Sequence, residues 1–269
     1  MKRKRSKSSV ALVVIENNMV EINSHNVVSS KLPSGFNLKI AQISDFHNSS
    51  KQKEYTVEAL KGCAPDIIVI TGDLIDSRKT RADVSLDLIS QISKIAPCYY
   101  VTGNHEARIK EEYSVFKQEL NGLVTVLENE SKLLEFDGAK INLIGLKDPR
   151  FFYDSDSKGK ACMQIKESLA PLLNSELYNL VLCHRPEAFE VYAELGADLV
   201  LTGHAHGGQI ILFGLGAVSP NQGIFPRYIK GAYKKNETVM VVSRGIGNSL
   251  FPFRFNNKPE IVEINLKGE

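Results

Sequence analysis

The stretch that decides the fold is LVLTGHAHGG, residues 199 to 208. Its first four residues, three of them large and apolar, are typical of a buried strand, and the chain then turns at Gly203. His204 and His206 follow the strand with one alanine between them, although the whole sequence of 269 residues contains only six histidines. Two scarce polar residues at the end of one strand indicate a functional site at that point.

The same pattern recurs along the chain. Short apolar runs that end in polar or glycine residues predict buried strands. Besides residues 197–208 they are NLKIAQISDFH (37–47), PDIIVITGD (65–73), PCYYVTGNHE (97–106), KINLIGLKD (140–148) and YNLVLCHRPE (178–187). Helical spacing of apolar residues lies between several of them, over residues 84–95, 109–120 and 186–196. Strands that alternate with helices predict an α/β architecture. Glycine and proline punctuate the chain after Gly207, which predicts hairpins there.

Composition, cysteine usage and charge favour a globular protein with free thiols and argue against one that binds nucleic acid. With 43% hydrophobic and 24% charged residues and no repeat, the chain is typical of a globular protein, and we predict one domain over residues 10–269. Four scattered cysteines without a CxxC pair (Cys63, Cys98, Cys162 and Cys183) predict free thiols in a reducing, cytoplasmic compartment. Outside residues 1–9 the chain has 28 basic against 31 acidic residues, so we expect no stable nucleic-acid partner.

The N-terminal residues 1–9 form a basic tail with five positive charges, which we predict to be flexible. Residues 2–7 either remain solvated or attach peripherally to an anionic membrane, where each basic residue contributes ~1 kcal/mol. The apolar run VALVVI (10–15) is too short to span a membrane, which needs ~20 residues, and predicts a first strand.

Polar side chains collect where the predicted strands end, and five of the six histidines lie there. In α/β sheets ligands bind outside the carboxyl ends of strands, so these groups are expected to converge. Carboxylate, amide and imidazole groups together suit hard to borderline divalent metals. The candidate residues are Asp45, His47, Asp73, Asp76, Asn104, His105, Glu106, His184, His204 and His206.

The blocks SDFH, GDLID, GNHE, CHRPE and GHAHGG resemble, in the same order, the five signature blocks of the calcineurin-like metallophosphoesterases. The resemblance covers residues 38–268. GGQI, GIFPRYIKGAY and SRGIGNS are further similar to a bacterial branch of UDP-diacylglucosamine hydrolase-like proteins. Members of that branch commonly carry an N-terminal membrane anchor, whereas this sequence offers only VALVVI in that region.

The resemblance implies an α/β (α+β four-layer) fold of two facing mixed sheets flanked by helices. It also implies two divalent metal ions (Mn, Fe, Zn or Mg). One ion would bind Asp45, His47, Asp73 and His206, and the other would bind Asp73, Asn104, His184 and His204, so that Asp73 bridges them. A turn permitted by Gly203 would let both His204 and His206 face the site.

The implied activity is hydrolysis of a phosphodiester, phosphomonoester or pyrophosphate bond by a hydroxide that bridges the metals. His105 is the predicted general acid, and Asp76 is predicted to orient it. The substrate would be a phosphorylated small molecule or lipid; the alternatives are a nuclease-type phosphodiesterase and a non-catalytic metal-binding regulatory protein. Glu106 is predicted to be structural, Arg78 to be surface charge, and Cys183 to diverge from its neighbour His184 rather than act as a nucleophile.

Residues 213–233 carry more aromatic and apolar side chains than a hairpin requires: Phe213, Leu215, Phe225, Tyr228 and Tyr233. They either pack on the sandwich or line a groove beside the metals that accepts an apolar part of the substrate.

Overall fold

The computed structural model describes residues 19–153, 157–208, 211–212, 215–216, 218–219, 222–224, 226–248, 254 and 256–269. The basic tail and the strand predicted at residues 10–15 lie outside the described residues. Phe213 and Phe225 do as well, together with the side chain of Leu215, so the predicted groove stays a prediction.

The first sheet has six strands in the order β1-β16-β2-β3-β4-β5. β2, β3, β4 and β5 run parallel, β16 is antiparallel to β2, and β1 is parallel to β16. The strands are β1 (Glu21–Ser29), β2 (Asn37–Ile43), β3 (Ile67–Thr71), β4 (Cys98–Val101), β5 (Thr125–Val126) and β16 (Glu260–Gly268).

The second sheet also has six strands, in the order β14-β15-β9-β8-β7-β6. β15, β9, β8 and β7 are parallel, and both edge strands are antiparallel to their neighbours. The strands are β6 (Glu130–Phe136), β7 (Ala139–Gly145), β8 (Tyr178–Leu182), β9 (Leu199–Thr202), β14 (Gly231–Lys235) and β15 (Thr238–Val242). Two short antiparallel pairs, β10 (Ile211–Leu212) with β11 (Leu215–Gly216) and β12 (Val218–Ser219) with β13 (Gly223–Ile224), confirm the predicted change to hairpins after Gly207.

Helices cover the outer faces of both sheets. They are α1 (Ser50–Cys63), α2 (Ala82–Ile92), α3 (Asn104–Arg108), α4 (Lys110–Glu119), α5 (Lys158–Leu169) and α6 (Phe189–Leu195), with short 3₁₀ turns at Pro149–Phe151, Ala170–Leu172, Pro186–Ala188 and His206–Gly208. α1, α2 and α4 pack on the first sheet, and α5 and α6 pack on the second. No helix among the described residues is both long and apolar enough to cross a membrane.

Alternation along the central strands explains the layered core. Ile67 and Val69 of β3 point into the interior between the sheets, whereas Ile68 and Ile70 of the same strand pack under the helices. Because both faces are covered, the strand is apolar throughout, as the sequence predicts. The predicted architecture of two facing mixed sheets flanked by helices is confirmed.

Candidate metal centre

The predicted ligands come together at one end of the sandwich. Each follows the carboxyl end of a parallel strand: Asp45 and His47 follow β2, and Asp73 follows β3. The other ligands are Asn104 after β4, His184 after β8, and His204 and His206 after β9. All seven residues are at most 7% exposed. Polar and charged side chains are rarely buried to this extent unless they are paired with other groups.

The backbone at five of these seven positions adopts the left-handed conformation, which residues other than glycine rarely adopt. φ is 51° at Asp45, 49° at His47, 51° at Asp73, 66° at His204 and 47° at His206. Each such conformation costs of order 1–3 kcal/mol and persists only where the surrounding structure holds it. Five of the seven predicted ligands therefore lie in strained turns, a concentration typical of a functional site.

The two histidines after β9 reach the site for a different reason from the predicted one. The left-handed residues of this turn are His204, His206, Gly207 (φ 61°) and Gly208 (φ 73°), and Gly203 is not among them. A Cβ atom at Gly203 would collide with the side chain of Ser44, which belongs to the first sheet. Gly203 is thus required for the close approach of the two sheets, and the histidines themselves supply the turn.

The first group of ligand atoms belongs to Asp45, His47, Asp73 and His206, and these atoms lie within 4.8 Å of one another. His206 Nε2 lies 3.1 Å from Asp45 Oδ1 and 3.2 Å from His47 Nε2. His47 Nε2 lies 3.7 Å from Asp73 Oδ2. The four side chains thus direct carboxylate oxygens and ring nitrogens at one point.

The second group belongs to Asp73, His184 and His204. His184 Nε2 lies 3.2 Å from Asp73 Oδ2 and 3.1 Å from His204 Nδ1. The side-chain amide of Asn104 also reaches this group, at 2.8 Å from His204 Nδ1. The orientation that forms hydrogen bonds within the protein places the amide nitrogen there, and the opposite orientation would present the oxygen to a cation instead.

The electrostatics of the cluster suit positive ions. Burial opposes ionisation of Asp45, but His206 and His184 outweigh it and bring the pKa of this carboxyl to about 2. Burial lowers the pKa of His47 to about 3, so this imidazole is neutral and able to act as a ligand. Asp45 Oδ1 is buried without a hydrogen bond among the described residues. Buried acceptors that face one another in this way fit a divalent cation.

His105 lies beside the first group, with its ring 4.6 Å from that of His47. Its Nδ1 is 3.3 Å from Asp76 Oδ1, which is the contact that the predicted dyad requires. The backbone nitrogen of Ser77 lies 3.1 Å from the same Nδ1, and its N–H can donate there only while Nδ1 carries no proton for Asp76. Burial opposes protonation of His105, but Asp73 and Asp76 raise its pKa above the ordinary value. Arg78 forms a bidentate pair with Asp76, which sequence analysis did not predict.

Comparison with known proteins identifies the family. Residues 38–208 match the family described as calcineurin-like phosphoesterase. The uncharacterized metallophosphoesterase YkuE of Bacillus subtilis (strain 168) is 32% identical over 267 residues, which cover 94% of this chain and 88% of that protein. The chain belongs to the calcineurin-like phosphoesterase family. It is therefore a metallophosphoesterase, a hydrolase of phosphoester bonds, and its buried Asp/His cluster can hold divalent metal ions.

Two further comparisons place this metallophosphoesterase among its relatives. Phosphodiesterase YaeI of Escherichia coli (strain K12) is 28% identical over 207 residues, which cover 75% of this chain and 70% of that protein. The crystal structure of TT1561 of Thermus thermophilus superposes with a TM-score of 0.51 at 14% identity, covering 78% of this chain and 91% of that chain. This structural likeness shows the shared fold. The resemblance to the UDP-diacylglucosamine hydrolase-like branch stays a prediction.

Glu106 stabilises the loops that carry the ligands of the metallophosphoesterase centre. Its carboxylate accepts hydrogen bonds from the backbone N–H groups of Asp73, Ile75 and Gly103. These bonds tie the loops after β3 and β4 together and fix the backbone of Asp73. Burial and the charge of Asp73 raise the pKa of Glu106 to about 7. The contacts agree with the structural role predicted for this residue.

A buried ion pair that sequence analysis missed supports the other side of the centre. Arg185 Nε and Nη2 donate to Asp148 at 2.6 and 2.8 Å, and both side chains are at most 1% exposed. Arg185 Nη1 lies 3.2 Å from His204 Nε2. Asp148 follows β7, so this strand end also contributes to the site. The signal was present in the sequence, because LKD at residues 146–148 ends an apolar run as the other strand ends do.

Proposed function

We propose that this metallophosphoesterase holds two divalent metal ions and hydrolyses a phosphodiester, phosphomonoester or pyrophosphate bond. The observation that carries the proposal is the position of Asp73. Its carboxylate belongs to both groups of ligand atoms, with Oδ2 3.7 Å from His47 Nε2 and 3.2 Å from His184 Nε2. A carboxylate shared in this way is suited to bridge two ions.

The chemistry that the ions would supply explains why the chain needs no serine or cysteine nucleophile. Two bound divalent ions lower the pKa of a shared water towards neutrality and position phosphoryl oxygens for in-line attack. Asp45, His47 and His206 would hold one ion, and Asn104, His184 and His204 the other. The buried positions of these side chains fix the ligand geometry before substrate arrives.

His105 is the side chain best placed to move a proton. Asp76 holds Nδ1 of the ring, so Nε2 faces away from that carboxylate. We assign His105 as the general acid that protonates the leaving oxygen and Asp76 as the residue that orients it. A general acid typically contributes ~10²–10⁴-fold when the leaving group is basic.

The substrate that we propose is a phosphorylated small molecule or lipid. YaeI is named a phosphodiesterase, which favours a phosphodiester as the substrate of this chain as well. The acidic balance of residues 10–269 argues against duplex nucleic acid, because a surface that binds duplex phosphates is ordinarily basic.

Metal reconstitution tests the proposal. Chelator-treated protein would be titrated separately with Mn²⁺, Fe²⁺, Zn²⁺ and Mg²⁺, and bound metal would be compared with hydrolysis of nitrophenyl mono- and diesters. We expect two equivalents of metal and recovery of activity in parallel. Full occupancy without hydrolysis of any ester or anhydride would favour the non-catalytic regulatory alternative, and one equivalent at full activity would exclude the two-metal assignment.

A further inference from the structure

The backbone of the ligand His206 is held from the side of the first sheet, although His206 itself follows a strand of the second. The side-chain amide of Asn257 donates to the carbonyl oxygen of His206 at 2.7 Å. Asn257 is fully buried and lies just before β16, which is the neighbour of β2 in the first sheet. A side chain attached to the first sheet therefore contacts a ligand that the second sheet provides.

The turn that carries His206 requires support of this kind. Its backbone is left-handed at His206, with φ 47°, and at Gly207, with φ 61°. Such a conformation persists at a residue other than glycine only where the surrounding structure holds it. Gly207 packs against the same amide, because a Cβ atom at this position would collide with the side chain of Asn257. The hydrogen bond and the close contact together fit Asn257 to this conformation of the turn.

The segment that carries Asn257 also holds the ligand opposite His206. The buried Arg254 donates from Nη2 to the carbonyl oxygen of Gly247. The N–H of Gly247 in turn donates to the carbonyl oxygen of Asp45 at 2.7 Å. His206 Nε2 and Asp45 Oδ1 lie 3.1 Å apart. One short stretch of chain before β16 is thus linked to the backbones of two facing ligands.

We propose that Asn257 is a positioning residue, which places the imidazole of His206 opposite Asp45 and so sets the affinity of the first group of ligands for its ion. The inference rests on the proposed function, because it concerns one of the two ions proposed there. Residues that orient metal ligands without touching the ion typically change metal affinity ~10–100-fold when they are removed. Asn257 contacts a ligand of the first group only, so its effect belongs to one ion.

A titration of chelator-treated protein with Mn²⁺ tests the proposal. Asn257→Leu keeps the approximate volume of the side chain and removes the donor. We expect the affinity for one ion to fall ~10–100-fold and the affinity for the other to stay within about twofold of the wild type. Asn257→Ser, a shorter side chain that leaves the same hydrogen bond unmade, is the second variant should leucine prevent folding. Equal losses for both ions, or unchanged affinity for both, would overturn the proposal.

Asn142→Leu is the matched control, because Asn142 is also a buried asparagine that donates to a backbone carbonyl. It lies on β7 and is 6% exposed, and its amide donates to Leu172 O and Asn179 Oδ1, each at 2.9 Å. We expect this variant to lower the free energy of unfolding and to leave both Mn²⁺ affinities within about twofold. If it weakens one ion as much as Asn257→Leu does, the effect is a general loss of stability and the positioning role is wrong.

The double variant His206→Ala/Asn257→Leu tests whether Asn257 acts through His206. Once the imidazole is absent, Asn257 has no ligand to position, so the double variant should bind Mn²⁺ within about twofold of His206→Ala alone. Losses that multiply would mean that Asn257 acts independently of His206, which would contradict the proposal.

Amide exchange in metal-free protein separates this inference from the proposed function. The N–H of Gly208 donates to Ala205 O at 2.8 Å within the turn. We expect this amide to exchange about fivefold faster in chelator-treated Asn257→Leu than in the wild type, and at an unchanged rate in Asn142→Leu. An unchanged rate in Asn257→Leu would overturn the inference even where two ions bind. If the wild type binds fewer than two ions yet shows this difference in exchange, the proposed function fails while the role of Asn257 in holding His206 stands.

Discussion

The two sheets contribute different chemistry to the same centre. The first sheet provides two carboxylates, an amide and a single imidazole, whereas the second provides imidazoles only (His184, His204 and His206). Both carboxylates among the predicted ligands therefore lie on one wall, whereas the carboxylate of Asp148 on the other wall is paired with Arg185. Burial opposes ionisation of Asp73, but His184 and other neighbouring imidazoles outweigh it and hold the pKa of this carboxyl well below its usual range.

This difference indicates which wall determines whether metals bind at all. Carboxylates supply the charge that compensates divalent ions, and deprotonated imidazoles supply geometry and selectivity among them. Burial opposes protonation of His184, but Asp73 outweighs it and raises the pKa of this imidazole to about 10, so His184 must release a proton when an ion binds. The two walls meet closely, since a Cβ at Gly203 on the second sheet would strike Ser44 on the first. We therefore expect substitutions on the first sheet to affect the whole centre and substitutions on the second to act locally.

The largest expected effect belongs to Asp73→Asn. The amide keeps the shape of the side chain but loses the charge that both groups of ligands share. We expect both of the proposed metals to be lost and kcat/KM to fall by more than the ~10²–10⁴-fold that a general acid contributes to catalysis. Elemental analysis of the purified variant and a metal titration would measure the first effect, and hydrolysis of a nitrophenyl diester the second.

His206→Ala is the matching variant on the second sheet. It removes one imidazole from the first group only, so we expect weaker binding of one metal while the other is retained. Retention of two metals with normal affinity in Asp73→Asn would exclude the bridging role. Loss of both metals in His206→Ala would contradict the local character that we assign to the second sheet.

The next effect in size concerns His105, which lies on the first sheet's side without being a predicted ligand. We expect His105→Ala to keep its metals and to lose ~10²–10⁴-fold in kcat/KM on alkyl esters, whose leaving groups need a proton. Nitrophenyl esters should be much less affected, because nitrophenolate departs without one. Asp76→Asn should be a milder copy, since Asp76 acts through the ring at 3.3 Å.

The metal content of His105→Ala, measured together with its kcat/KM on alkyl and nitrophenyl esters, determines the role of this residue. Equal losses on alkyl and nitrophenyl esters with metals intact would mean that His105 stabilises the phosphoryl group instead of the leaving oxygen. Loss of a metal in His105→Ala would place this residue among the ligands.

Much of the site could be predicted from sequence because its residues lie just after the ends of strands that are recognisable as apolar runs. Asp45, Asp73 and Asn104 each follow an apolar run directly, and parallel strands place their carboxyl ends together. The strands themselves were recognisable because burial on both faces makes them continuously apolar. These signals need only a few consecutive residues.

The features that the sequence does not predict depend on contacts between distant parts of the chain. Edge strand β1 alternates between half-exposed and exposed residues, and its neighbour β16 mixes buried with half-exposed residues, so neither gives a continuous apolar run. Asp148 and Arg185 are 37 residues apart, and nothing in either segment specifies the partner. Gly203 was recognised as a turn residue, but its actual role, the approach to Ser44, depends on how the two sheets pack.

The smallest expected effect belongs to Cys183, the neighbour of His184 on the second sheet. Adjacent residues of a strand point to opposite faces, so while His184 faces the ligands, Cys183 packs under α5 and α6 with Val181 and Tyr192. Burial raises the pKa of the thiol to about 12, which keeps it protonated and unreactive at neutral pH.

We expect Cys183→Ala to change kcat/KM by less than about twofold and to cost ~1 kcal/mol in the free energy of unfolding, as is usual for one small buried truncation. Urea unfolding and nitrophenyl ester hydrolysis would measure both, with Cys162→Ala on α5 as the control. A large loss of activity with metals retained would show that this strand end does contribute a nucleophile, and the division of roles between the sheets would have to be revised.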